Sequence, residues 1–202
     1  MMLKYARRFF HAIFTPLAKT LLRMGLTPNA VTVIGTLGVS LGALVIYPMG
    51  HLFWGTVVIT LFVFSDLIDG LMATLGDQHS EVGGFLDSVC DRFQDSAVFL
   101  GLMLWFFGSG QNYWIGVAAA VCLILGLMVS YIRARAESLD YDANTGIAER
   151  PERMVATLVF TGFVGLGLPE VVLLAVLTLL AAASLITVIQ RMITVVRQSQ
   201  QR

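Results

Sequence analysis

Long apolar stretches constrain this chain more than any other feature, because few folds can accommodate them. A helix rises about 1.5 Å per residue, so roughly 20 apolar residues match the ~30 Å hydrocarbon core of a bilayer. Runs of that kind fall near residues 29 to 47, 51 to 75, 83 to 107, 113 to 136, 153 to 168 and 171 to 192. Turn formers punctuate them. Thr27-Pro28 opens the first, Tyr47-Pro48-Met49-Gly50 closes it, Gly108-Ser109-Gly110 follows the third, and Gly167-Leu168-Pro169 divides the last two. With 57% hydrophobic and 13% charged residues in 202, an ordinary soluble domain is excluded. The expected fold is an all-α membrane protein with six transmembrane helices over residues 28–192, in a single domain spanning 1–202.

A formal net charge of zero conceals a strong asymmetry in where the bases lie. All 13 Lys and Arg residues fall in the N-terminal segment, the connections after the second and fourth runs, the adjoining run ends, or the tail at 193–202. Six spans place all of these on one side, which the positive-inside rule makes cytoplasmic, at the plasma membrane, with both termini. Residues 1–27 interleave Lys4, Arg7, Arg8, Lys19 and Arg23 with aromatics and lack the apolar core of a cleavable signal. They read as an interfacial amphipathic helix and linker. Tyr47, Trp54, Tyr113 and Trp114 cluster at the other ends of the spans and are expected to anchor them at the interface. Cys90 and Cys122 have no disulfide or zinc spacing, and His11, His51 and His79 are too dispersed for a catalytic base.

Carboxylates inside such runs are costly, about 2.5 to 3.5 kcal/mol each on insertion scales, and so mark function. Asp66, Asp69, Gly70 and Ala73 follow i, i+3, i+4, i+7 spacing, on one stripe at the cytoplasmic end of the second run. Gly83, Asp87, Asp91 and Asp95 recur every fourth residue at the start of the third. A short connection is expected to make these helices antiparallel neighbours with facing stripes. Like charges so placed repel unless cations lie between them, and hard oxygen donors select Mg²⁺, Mn²⁺ or Ca²⁺. Gly70 and Gly83 either admit a bulky anion to the backbone or permit close helix packing. Asp95 extends the stripe by a turn, either supporting the site or serving as polar packing.

The pattern Asp66-x-x-Asp69-Gly70-x-x-Ala73 followed by Gly83-x-x-x-Asp87-x-x-x-Asp91 resembles the signature of the CDP-alcohol phosphatidyltransferase family. The one departure is Thr74, where the family has an Arg that contacts the substrate's phosphates. The stretches Gly25 to Thr32, Ser130 to Glu137 and Ile147 to Arg153 further resemble the actinobacterial members that use inositol phosphate as acceptor. This resemblance covers nearly the whole chain. It implies two divalent ions, Mg²⁺ or Mn²⁺, held by Asp66, Asp69, Asp87 and Asp91, with Asp91 also acting as the catalytic base. It places the CDP-diacylglycerol head at Asn29, Ala30, Val31, Thr32, Gly70, Thr74 and Ser80, and the acceptor phosphate at Arg133, Arg153 and Arg191. A homodimer, membrane lipids as surroundings and no nucleic-acid partner are implied as well.

The reaction so implied moves the phosphatidyl group from CDP-diacylglycerol to inositol 3-phosphate and releases CMP. Three alternatives stand beside it. The acceptor is instead glycerol phosphate or another alcohol; the carboxylates line a cation transport path; or Thr74 marks a non-catalytic relative that binds CDP-lipid. The arginines have a plainer reading too, as positive-inside anchors. Arg135 and Glu137 are expected to form a structural pair without a substrate role.

Overall fold

A computed structural model of the chain describes residues 14–77 and 80–200, and among these every regular element is helical. Residues 14–23 form α1, and the more strongly basic start of the expected amphipathic segment, including His11, lies outside the described residues, as does His79. There follow α2 (Pro28–Leu41), which continues into a π-helical turn (Gly42–Ile46), α3 (Leu52–Val63), α4 (Ser65–Leu75), α5 (Glu81–Phe107), α6 (Tyr113–Glu137), α7 (Arg150–Gly165) and α8 (Glu170–Ser199). The expected second span is thus two helices interrupted at Phe64. The eighth helix runs past the expected end of its span at 192, into the segment expected as a tail.

Four stretches are long and apolar enough to cross a membrane: Pro28–Ile46, Leu52–Leu75, Tyr113–Glu137 and Glu170–Ser199. Their outward apolar side chains, Leu37, Leu61, Leu127, Leu179 and Ile189 among them, are exposed, as they would be against lipid tails. The other two expected spans are helical but differ in kind. α5 has the length, yet Glu81, Asp87, Asp91, Arg92 and Asp95 all lie in its first part. α7 has 16 residues, which at the helical rise reach about 24 Å.

The chain forms two compact units, one of residues 1–41 and 58–94, the other of 42–57 and 95–202. In the first, α2 packs on α4. The reason is steric: a Cβ on Gly35 would lie 1.7 Å from Ser65 Oγ, and one on Gly38 would lie 2.3 Å from the Phe62 ring. Removing side chains at i and i+3 lets the two backbones approach. Apolar residues of α1 close this unit, with Ala18, Val31, Leu71 and Met72 at its centre and Phe14, Leu21 and Leu22 around them.

In the second unit α8 packs against both α6 and α7. Tyr47, expected at the interface, is instead fully buried. Its hydroxyl is 2.9 Å from Thr56 Oγ1, and Gly55 makes room for the ring, since a Cβ there would lie 2.6 Å from it. A buried phenol with a hydrogen-bond partner avoids the cost of burying a polar group. Trp54, Tyr113 and Trp114 are exposed, as expected of anchors. Both cysteines are buried free thiols.

Candidate active site

The first unit carries the carboxylates. Thr27 caps α2, its hydroxyl accepting from Ala30 N at 3.3 Å, and Pro28 supplies the preset first helical position. This start fixes Asn29 and Thr32 on the first turns of α2. Thr32 Oγ1 donates to Asp69 Oδ2 across the α2–α4 contact, the contact that Gly35 makes possible. Asp66 Oδ1 accepts from Gln94 Nε2 at 3.2 Å, and the same amide reaches Thr36 Oγ1 at 3.3 Å. Gln94 and Thr36 were not among the sequence candidates. Thr36 lies one turn beyond Thr32, a spacing the sequence shows, whereas the burial that obliges Gln94 to find partners is visible only in the fold.

Asp69 is buried, and the charges of Asp66 and Asp87 both act on it. Asp87 of α5 is therefore within electrostatic range of Asp69 of α4, although the helix packed on α4 is α2 rather than α5. Asp91 lies one turn beyond Asp87, with Arg92 Nη1 3.8 Å from its Oδ2. Among the described residues no three Asp, Glu, His or Cys side chains already stand in an ion-holding group. The donor set nonetheless fits a hard divalent cation: it is all carboxylate oxygen, and its members repel one another.

The glycines resolve into different roles. A Cβ on Gly70 would meet nothing within 4 Å, so this glycine opens space beside Asp69. One on Gly83 would lie 3.1 Å from Ser80 Oγ and 3.2 Å from Asn29 Oδ1. Ser80 caps α5, accepting from Gly83 N at 3.0 Å. Asn29 and Ser80, two of the residues expected at the nucleotide lipid, thus approach each other across Gly83. Thr74 Oγ1 donates back to Gly70 O at 2.9 Å, which turns its hydroxyl onto its own helix. Ala30 and Val31 lie in the first turn of α2, Val31 within the apolar core.

The second unit carries Arg133, Arg153 and Arg191. Arg191 is buried, donating through Nε to Thr145 O at 2.8 Å and through Nη1 to Val129 O at 2.6 Å. Arg153 is buried against Gly126, where a Cβ would lie 2.7 Å from its Cζ. Arg133 projects from α6 and pairs with Glu137 at 2.8 Å, and its charge acts on Arg191. The expected Arg135–Glu137 pair is not formed; Arg135 reaches Ser138 Oγ at 3.1 Å. Residues two apart on a helix point to different sides, whereas i and i+4 are neighbours. Positions 126, 129 and 133 share one stripe of α6, so all three arginines gather along it.

A family model for CDP-alcohol phosphatidyltransferases matches residues 25–196. A phosphatidylinositol phosphate synthase from Streptomyces avermitilis is 49% identical, the match covering 98% of this chain and 84% of that protein. The crystal structure of the Mycobacterium tuberculosis phosphatidylinositol phosphate synthase with CDP-DAG bound superposes with a TM-score of 0.87 at 41% identity, covering 91% of this chain and 94% of that one. The same enzyme in complex with manganese and citrate gives 0.86 at 40% identity, over 90% and 88%.

Proposed function

Since the chain belongs to the CDP-alcohol phosphatidyltransferase family, we propose that it is a phosphatidylinositol phosphate synthase, which joins CDP-diacylglycerol to inositol 3-phosphate and releases CMP. The observation that carries this reading is the buried Asp69, held by Thr32 and subject to the charges of Asp66 and Asp87, within a chain nearly half identical to a synthase of that name. Membership in an enzyme family sets aside the cation-carrier alternative.

Asp66, Asp69, Asp87 and Asp91 would hold two divalent ions, Mg²⁺ or Mn²⁺, and manganese is present in the related structure. When bound, such ions neutralise charge on the donor's phosphates and on the leaving nucleotide. The remaining steps belong to the chain. Asn29, Ala30, Val31, Thr32 and Ser80 seat the CDP head, with the space beside Gly70 admitting its phosphates. Thr74, short and turned onto Gly70 O, contributes little charge there. Arg133, Arg153 and Arg191 grip the acceptor phosphate, for which planar cationic donors are well suited. Asp91 takes the proton from the acceptor hydroxyl as its oxygen attacks the lipid-side phosphorus. The phosphorus–oxygen bond to CMP breaks, and no covalent enzyme intermediate forms.

We further read α5 and α7 as the third and fifth of six spans in a single domain, with α1 lying in the interface. The bases then face the cytoplasm of a plasma-membrane protein. A homodimer follows the family. The reading is tested by measuring CMP release from CDP-diacylglycerol with inositol 3-phosphate or glycerol 3-phosphate as acceptor. Turnover with inositol phosphate supports it; exclusive use of another alcohol assigns a different member of the family.

A further inference from the structure

Asp95 sits one turn beyond Asp91 on α5, in the part of that helix that belongs to the second unit, and faces two arginines of α7. Arg150 Nε donates to its Oδ1 at 3.0 Å and Arg153 Nη2 to its Oδ2 at 2.7 Å. Asp95 is 4% exposed and Arg153 only 1%. The two guanidinium groups thus hold both oxygens of this buried carboxylate. A guanidinium has five N–H donors, yet the buried Nη1 of Arg153 makes no hydrogen bond among the described residues.

Gly126 fixes where this guanidinium can lie, because any side chain there would overlap it. The same stripe of α6 brings Arg191 to Val129 O and bears Arg133 a turn further on. We infer that Asp95 is the positioning residue of the acceptor-phosphate site: by holding Arg153 Nη2 and Arg150 Nε, it sets the plane of the Arg153 guanidinium and leaves Nη1 to donate to a phosphate oxygen. Asp95 does not itself touch substrate. The inference rests on the acceptor reading above, and it makes Gly126 a second determinant of the same geometry.

The test is steady-state kinetics on the full-length enzyme in detergent with CDP-diacylglycerol, Mn²⁺ and inositol 3-phosphate, together with the thermal shift that inositol 3-phosphate produces. Asp95→Asn keeps the shape but turns an amide N–H toward one arginine. It should raise the acceptor KM roughly tenfold or more while kcat changes by less than about threefold, the split expected for lost ground-state binding. The KM for CDP-diacylglycerol should hold, and the acceptor-induced thermal shift should shrink. A lower melting temperature with an unaltered acceptor KM overturns the inference and leaves Asp95 a packing ion pair. Should Asp95→Asn not fold, Gly126→Ala decides: a raised acceptor KM supports the inference, and an unchanged one overturns it. Arg153→Ala separates the two layers. If it leaves the acceptor KM unchanged, the acceptor reading fails and this inference with it; if it raises KM and Asp95→Asn does not, the inference alone fails.

Discussion

Asp69 is the motif carboxylate whose surroundings explain it most fully: buried, bonded to Thr32, and within the field of Asp66 and Asp87. Asp91, beside Arg92, carries the proposed base role, and its isosteric replacement is the cleanest probe of it. Asp91→Asn should lower kcat for CMP release by roughly 10²-fold or more, the usual range for losing a general base, without altering the melting temperature greatly. Thr74 offers the opposite experiment. A guanidinium at this exposed position would add a charge-assisted bond to the donor phosphates, so Thr74→Arg should lower the KM for CDP-diacylglycerol by roughly tenfold. An unchanged KM would show that the bound lipid head does not reach this turn. Most of these residues were legible in the sequence, because helical spacing alone puts Asp66, Asp69 and Gly70 together. The Arg133–Glu137 pair obeys the same spacing, and pairing Glu137 with Arg135 overlooked it. What spacing cannot give is a partner distant in the chain. Thr32 on Asp69, Gln94 on Asp66 and Arg153 on Asp95 are bonds between helices, and no local pattern encodes them.

At the scale of elements, α2 positions α4, which carries Asp66 and Asp69. Its Gly35 lets α4 come close enough for Thr32 to reach Asp69. Gly35→Ala would place a methyl against Ser65 Oγ and Cβ, which should cost about 1 to 3 kcal/mol by overpacking. The expected outcome is a lower melting temperature together with a reduced kcat; a loss of stability alone would show that the Thr32–Asp69 bond does not depend on this approach. The cap on α5 is a milder case. Ser80→Ala removes the acceptor for Gly83 N, worth about 1 kcal/mol, and should also raise the KM for CDP-diacylglycerol if Ser80 touches the nucleotide lipid. The helices themselves were readable from apolar length and turn formers. The interruption at Phe64 was not, because no Pro or Gly marks it and the apolar run continues across it. Nor could the run of apolar residues reveal that Tyr47 turns inward, since this depends on the missing side chain of Gly55.

For the molecule as a whole, apolar length and the placement of charge decide the surroundings, and the carboxylates decide the chemistry. Four stretches have the length and apolarity to cross a bilayer, while α5 carries its charges toward one end. That end is where a lipid head group and a water-soluble acceptor would both be reachable. Because the proposed ligands for the divalent ions are all carboxylates, chelation should abolish turnover, and Mn²⁺ or Mg²⁺ should restore it. A chelated enzyme that still releases CMP at its full rate would remove the metal from the account. The central claim is the pairing of a CDP-lipid donor with a phosphorylated inositol acceptor. It is tested most directly by following CMP release from CDP-diacylglycerol in the presence of Mn²⁺ across a panel of inositol 3-phosphate, inositol, glycerol 3-phosphate and serine. The account predicts turnover with inositol 3-phosphate and little with unphosphorylated inositol. Equal rates with both, or turnover with glycerol 3-phosphate alone, would contradict it.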